Sequence, residues 1–141
     1  MILLDTNVLS ELMRLVPNET VLAWLDRQTG EDVFVSAITE AEILRGIALL
    51  PDGKRRAVLA AIADTLFAED FADRRLPFDS PSAGLYAELA AHRARTGRPI
   101  SVEDAQIAAI ALRHALTLVT RNTRDFADIT GLTVVNPWLD E

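Results

Sequence analysis

The chain begins Met1-Ile2-Leu3-Leu4-Asp5-Thr6-Asn7. Four apolar residues follow one another without alternation, and the run stops at an acid. A strand with one face in water alternates polar and apolar residues, whereas an unbroken apolar run suits a strand covered on both faces at the centre of a parallel sheet. Working outward, β-forming runs recur at 32–36 (Asp-Val-Phe-Val-Ser), 116–120 (Leu-Thr-Leu-Val-Thr) and 132–135, the last ended by Asn136-Pro137, with a fifth candidate at 75–78. Helical periodicity fills the intervals 7–14, 19–28, 39–50, 53–67, 83–95 (closed by Gly97 and Pro99) and 103–114. Strands alternating with helices predict an α/β fold, a parallel β-sheet flanked by helices on both faces. Such sheets bind ligands beyond the carboxyl ends of their strands, which directs attention to the residues just after each strand.

The totals agree with one domain over residues 1–141. Half of the 141 residues are apolar, enough for a core of its own. There is no cysteine, which excludes disulfides, zinc thiolates and a cysteine nucleophile. An acid after four apolar residues does not suit a signal peptide, and no apolar run reaches the ~18 residues of a membrane span, so a cytoplasmic location is expected. The net charge of −7, from 21 acids against 14 bases, taken alone argues against a phosphate-binding surface.

Three acids stand at or near strand ends. Asp5 directly follows the first strand and is also placed to cap the next helix. Glu42 lies in Thr39-Glu40-Ala41-Glu42, a Thr-x-x-Glu capping-box pattern, and could instead pair with Arg45 on the surface. Gly46, one turn on, costs helix stability and so asks for a packing or access reason. Asp104 lies in Ser101-Val102-Glu103-Asp104, again a capping pattern. It also heads the apolar stripe of Ile107, Ala108, Ala111 and Leu112, where a lone carboxylate is expensive to bury. After the strand at 116–120 comes Arg121-Asn122-Thr123-Arg124-Asp125, a polar turn or a further oxygen ligand. Each acid alone reads as a cap. Together they form a like-charge group that a hard divalent cation with oxygen ligands would neutralise. His92 and His114 show no ligand spacing and read as surface residues of their helices.

Four blocks, 1–7, Ser36-Ala-Ile-Thr39-Glu40-Ala-Glu42, Asp104-Ala-Gln-Ile-Ala-Ala and Val119-Thr120-Arg121-Asn122-Thr-Arg-Asp125-Phe126, resemble in order and spacing those of the PIN-domain ribonuclease toxins of the VapC family. The ending Val135-Asn136-Pro137-Trp138 resembles the FitB-like subgroup. The resemblance implies an acidic pocket binding Mg²⁺ or Mn²⁺, endonuclease action on an RNA substrate, a homodimer, and inhibition by a cognate antitoxin, with higher-order assembly alongside it. Carried over by position, Asp5, Glu42 and Asp104 are the metal-binding acids. The last block departs from the commoner form: Asn122 stands where many relatives carry an acid, which makes Asn122 and Asp125 the alternatives for a fourth catalytic position.

On this reading part of the negative charge is the site itself. Arg14, Arg45, Arg98, Arg121 and Arg124 are candidates for phosphate contacts, while Arg93 and Arg95 read as solvated charges. Leu12, Met13, Leu15 and Trp24 are candidate antitoxin contacts. Rival metal-dependent α/β classes fit poorly. A response-regulator receiver needs a strand-end lysine, and the only lysine is Lys54, in a helical segment. A haloacid-dehalogenase phosphatase needs Asp-x-Asp where this chain has Asp5-Thr6-Asn7. The alternative that remains is a catalytically inactive PIN-like binding module.

Overall fold

The computed structural model describes residues 1–139. Five short strands form one fully parallel sheet: β1 (Ile2–Leu4), β2 (Val33–Ser36), β3 (Arg75–Leu76), β4 (Thr117–Val119) and β5 (Val134–Val135), in the order β3-β2-β1-β4-β5. The non-alternating run at the start of the chain is therefore the central strand. Its side chains divide between two cores. Ile2 and Leu4 join Val33, Val35 and Val119 on one face, and Leu3 joins Leu118 and Phe34 on the other. This is the period-two geometry of a strand used on both sides.

Helices α1 (Thr6–Leu12), α2 (Glu19–Asp26), α3 (Ala37–Ala48) and α4 (Lys54–Thr65) supply Val8, Leu9, Val21, Ile43 and Ala63 to the first core. Helices α5 (Ser80–Arg95) and α6 (Val102–Arg113) cover the second with Leu89, Ile107, Ala108 and Ile110. No helix among the described residues is long and apolar enough to cross a membrane.

Two helices begin earlier than their periodicity predicts, α5 by three residues and α3 by two. Asp79 caps α5 by accepting from the Ser82 backbone at 3.0 Å, and Pro81 in the first turn has its ring preset for a helix. Ser36, the last residue of β2, caps α3 by accepting from the Thr39 backbone at 3.0 Å. The expected capping box from Thr39 to Glu42 is thereby corrected. Thr39 occupies the position assigned to Glu42, and Glu42 sits a further turn into the helix. Its carboxylate is free of capping duty.

Candidate active site at the carboxyl edge of the sheet

Asp5 leaves the central strand and turns its side chain along the sheet edge, where it is only 3% exposed. Three neighbours hold it. The Thr6 backbone donates to Oδ1 at 2.8 Å at the start of α1. The Thr120 hydroxyl donates to Oδ2 at 2.7 Å, and the Asn7 amide donates to the same oxygen at 3.2 Å. Thr120 follows β4, and its oxygen in turn accepts from Asn7 Nδ2 at 3.2 Å and from the Asn122 backbone at 3.0 Å. Burial raises the Asp5 carboxyl above its ordinary value; the Thr120, Thr6 and Asn7 bonds oppose the rise, and the charge of Glu42 adds to it.

Glu42 reaches the same edge from α3. Its Oε1 accepts from the Thr6 hydroxyl at 2.6 Å, and Thr6 lies 3.0 Å from the buried Thr39 hydroxyl. With the Thr6 proton committed to Glu42, Thr39 is the donor of that second bond. The chain Thr39–Thr6–Glu42 thus fixes the glutamate on the floor of the site.

Asp104 stands in the first turn of α6, where Ser101 does the capping by accepting from the Asp104 backbone at 3.1 Å. Burial, followed by the charge of Asp5, pushes the Asp104 carboxyl up to about 6 from an ordinary 3.8; Ser101 opposes, while Asp125 and Glu42 add to the rise. The side chains that raise it identify one electrostatic cluster of Asp5, Glu42, Asp104 and Asp125. Asp104 and Asp125 share a cleft of about 210 Å³ with Arg93, Pro99, Ile100 and Ser101. Asn122 is exposed and does not line that cleft; its backbone serves Thr120 instead.

The donor set suits a hard cation: oxygen ligands only, with negative charge uncompensated within the cluster. Among the described residues, no three acidic or histidine side chains already converge on one metal position. The residues fit the group in the chemistry of their donors and in shared location.

Several side chains differ from expectation. Arg93 is not a solvated charge but 6% exposed, with its guanidinium bonded to backbone carbonyls. Arg14 pairs with Glu11, and Arg98 with Asp128. Arg121 lies 4.9 Å over the ring of Trp138, and its backbone donates to Asn7 Oδ1 at 3.1 Å, so it does flank the site. His114 is half-buried with Nε2 unpartnered rather than an ordinary surface residue. Thr6, Asn7 and Thr120 escaped the sequence reading as site residues. Their available signal was small polar side chains beside an acid at two adjacent strand ends.

A second concavity, about 1060 Å³, opens between α1, α3 and α4. Its walls are apolar, from Met13, Leu15, Ile47, Val58 and Ile62, and one end reaches Thr6 and Glu42. Arg14, Lys54 and Arg55 also line it. Of the four expected partner contacts, Met13 and Leu15 line this groove. Leu12 and Trp24 do not, and pack against the first core instead.

The fold and the acid cluster define the class: a parallel α/β protein with a carboxylate site at the sheet's carboxyl edge and an apolar groove running into it. Comparison with known proteins gives the family. Residues 2–132 match the PIN domain family. The chain is 48% identical to Toxin FitB of Neisseria gonorrhoeae, over 99% of this chain and 100% of that protein. It is 42% identical to the VapC ribonuclease Y4jK of Sinorhizobium fredii, over 98% of each. Its fold superposes with a TM-score of 0.90 on a chain of FitAB bound to an IR36 DNA fragment, 47% identical, covering 100% of this chain and 98% of that one. The chain belongs to the PIN-domain family and, within it, to the VapC toxins.

Proposed function

We propose that this chain is a one-domain, divalent-metal-dependent endoribonuclease, the toxin of a toxin–antitoxin pair acting on RNA in the cytoplasm. The observation that carries the reading is the convergence of Asp5, Glu42, Asp104 and Asp125, from four separate segments, on one sheet edge, in a chain 42% identical to a VapC ribonuclease. Asp5, Glu42 and Asp104 would hold Mg²⁺ or Mn²⁺, with Asp125 at the cleft beside Asp104. Bound there, such a cation would neutralise the clustered carboxylates and would supply an acidified water and charge stabilisation for the phosphoryl oxygens. The protein's own part is positioning. Thr120 and Asn7 orient Asp5 through Oδ2, and Thr6 orients Glu42 through Oε1. Arg121, steadied on Trp138, supplies a positive group at the rim for the RNA backbone.

The groove between α1, α3 and α4 is the seat for the antitoxin, through an amphipathic segment whose apolar side chains fill the walls and whose basic residue meets Glu42. A homodimer, the family's expected assembly, belongs to the same reading.

The test is RNA cleavage by the purified chain freed of antitoxin. Cleavage with Mg²⁺ or Mn²⁺ that stops with chelator is expected. A folded chain that cuts no RNA under any divalent metal, yet still binds its antitoxin, would establish the inactive binding module instead.

The fourth position is decided by mutation. Asp125→Ala is expected to raise the Mg²⁺ needed for half-maximal cleavage several-fold, whereas Asn122→Ala, at an exposed side chain outside the cleft, leaves it within about twofold. The reverse ranking would return the fourth place to Asn122.

A further inference from the structure

Arg93 is a buried charge for which the catalytic reading has no use. It projects from the last turn of α5 and forms no ion pair among the described residues, although an unpaired buried charge is costly. Backbone carbonyls satisfy it instead. Nε donates to the Arg98 carbonyl at 2.7 Å, and one terminal nitrogen donates to the carbonyls of Asp125 at 3.1 Å and Ala127 at 3.5 Å. Arg98 returns a backbone bond to the Arg93 carbonyl at 2.9 Å. One planar fork therefore ties together two loops that are distant in sequence, the one that leads into Ser101 and α6 and the one that carries Asp125. Between the two tied carbonyls lies Phe126, 1% exposed in the second core, so side-chain packing and the guanidinium fix this loop from both sides. The cleft below is lined by Arg93, Ser101, Asp104 and Asp125.

We propose that Arg93 is a positioning residue that pins the backbone of residues 125–127, so that the Asp125 carboxylate faces Asp104 across the cleft and completes the acidic site. The inference rests on the reading of that cluster as a divalent-cation site. A lysine would keep the charge but not the fork, because a single ammonium has no planar pair of donors to span carbonyls of both loops. The arrangement also explains why a cation is tolerated beside acids it does not pair with. Nε and one terminal nitrogen are engaged by backbone carbonyls, and among the described residues Arg93 forms no ion pair with either carboxylate.

A double-mutant cycle read by Mn²⁺ binding alone, without RNA, tests this. Asp125→Asn is expected to weaken Mn²⁺ binding about tenfold in the parent chain and less than twofold once Arg93→Gln is present, because the carboxylate is then no longer aimed. Leu89→Ala, a core truncation on the same helix, is the stability control. In its presence Asp125→Asn keeps its full effect. Should Arg93→Gln fail to fold, Arg93→Lys takes its place with the same expectation. Amide exchange supplies an independent measure: the Asp125 and Ala127 amides, bonded to the Asn122 and Arg124 carbonyls, should exchange at least about tenfold faster in the Arg93 variant than in Leu89→Ala. Additive losses in the cycle, no effect of Asp125→Asn on Mn²⁺ in the parent, or equal exchange in the two variants overturns the proposal. A cycle that behaves as expected in a chain that cuts no RNA would leave Arg93's role standing and remove only the ribonuclease reading.

Discussion

Asp5→Asn, Glu42→Gln and Asp104→Asn are each expected to lower RNA cleavage at least about a hundredfold while leaving the chain folded. The choice of amides matters. Asp5 caps α1 through the Thr6 backbone, and Asn caps as well as Asp, so Asp5→Asn removes charge without removing the cap. Ser101 performs the capping at α6, which frees Asp104 of that duty. Without metal, neutralising one acid of a repelling cluster relieves strain on the others. The pH dependence gives this a sign. The folded Asp104 carboxyl titrates near 6 and the unfolded one near 3.8, so between those values the folded state holds more protons, and stability falls as pH rises through the window. At pH 7–8 the metal-free parent carries the whole penalty, and Asp104→Asn carries none. After discounting for solvent screening of a half-buried group, a gain of about 1 kcal/mol, or roughly 3 °C in Tm, is expected at pH 7.5 and should vanish by pH 4. Millimolar Mg²⁺ or Mn²⁺ should stabilise the parent and close the gap from the other side. Near-parent cleavage by any of the three variants would remove that residue from the site. Global unfolding would show the acid to be structural.

The sheet was legible because its evidence is local. A run such as Ile2–Leu4 has one reading when it lacks alternation, and the centre of the sheet is where it lies. The places of the three acids were legible for the same reason: Asp5 directly follows β1, Asp104 stands in the first turn of α6, and Glu42 lies in the helix that follows β2. What sequence hid depends on choices between equivalent local patterns. Ser36 and Thr39 can both cap α3. Only the pairing of β2 with β3, which carries the strand through Ser36, selects the earlier one and frees Glu42 of capping duty. Arg93 reads as a surface residue on a polar helical face, and its burial arises from a loop some thirty residues away whose carbonyls it satisfies. Asn122 sits where the family pattern expects an acid, but the turn after β4 commits its backbone to Thr120 and carries the next carboxylate, Asp125, to Asp104. For Ser36 and Arg93 the deciding contact is long-range, and the polar groups involved have several local partners available.

The groove between α1, α3 and α4 should carry the second large effect, which falls on the antitoxin and spares the catalysis. Val58 and Ile62 on α4 are 45% and 37% exposed, and both line the groove. Neither belongs to the acid cluster. Val58→Glu puts a charge where a partner's apolar side chains must seat. Desolvating it there costs enough to weaken antitoxin binding at least about a hundredfold. The charge stays in water in the free chain, so folding and RNA cleavage are unaffected, and co-expressed antitoxin should no longer relieve toxicity. Gly46 gives a finer version of the same experiment. It lies on the groove one turn beyond Glu42, and a Cβ built there meets nothing within 4 Å, so packing inside the chain does not require glycine. Gly46→Ala should then stabilise the free chain by up to about 1 kcal/mol through helix propensity while lowering antitoxin affinity, because the added methyl enters the groove. One substitution that moves fold stability and partner affinity in opposite directions separates a residue kept for docking from one kept for folding. If Gly46→Ala and Val58→Glu both bind antitoxin like the parent, the partner seats elsewhere, and the groove's continuity with Glu42 has no part in inhibition.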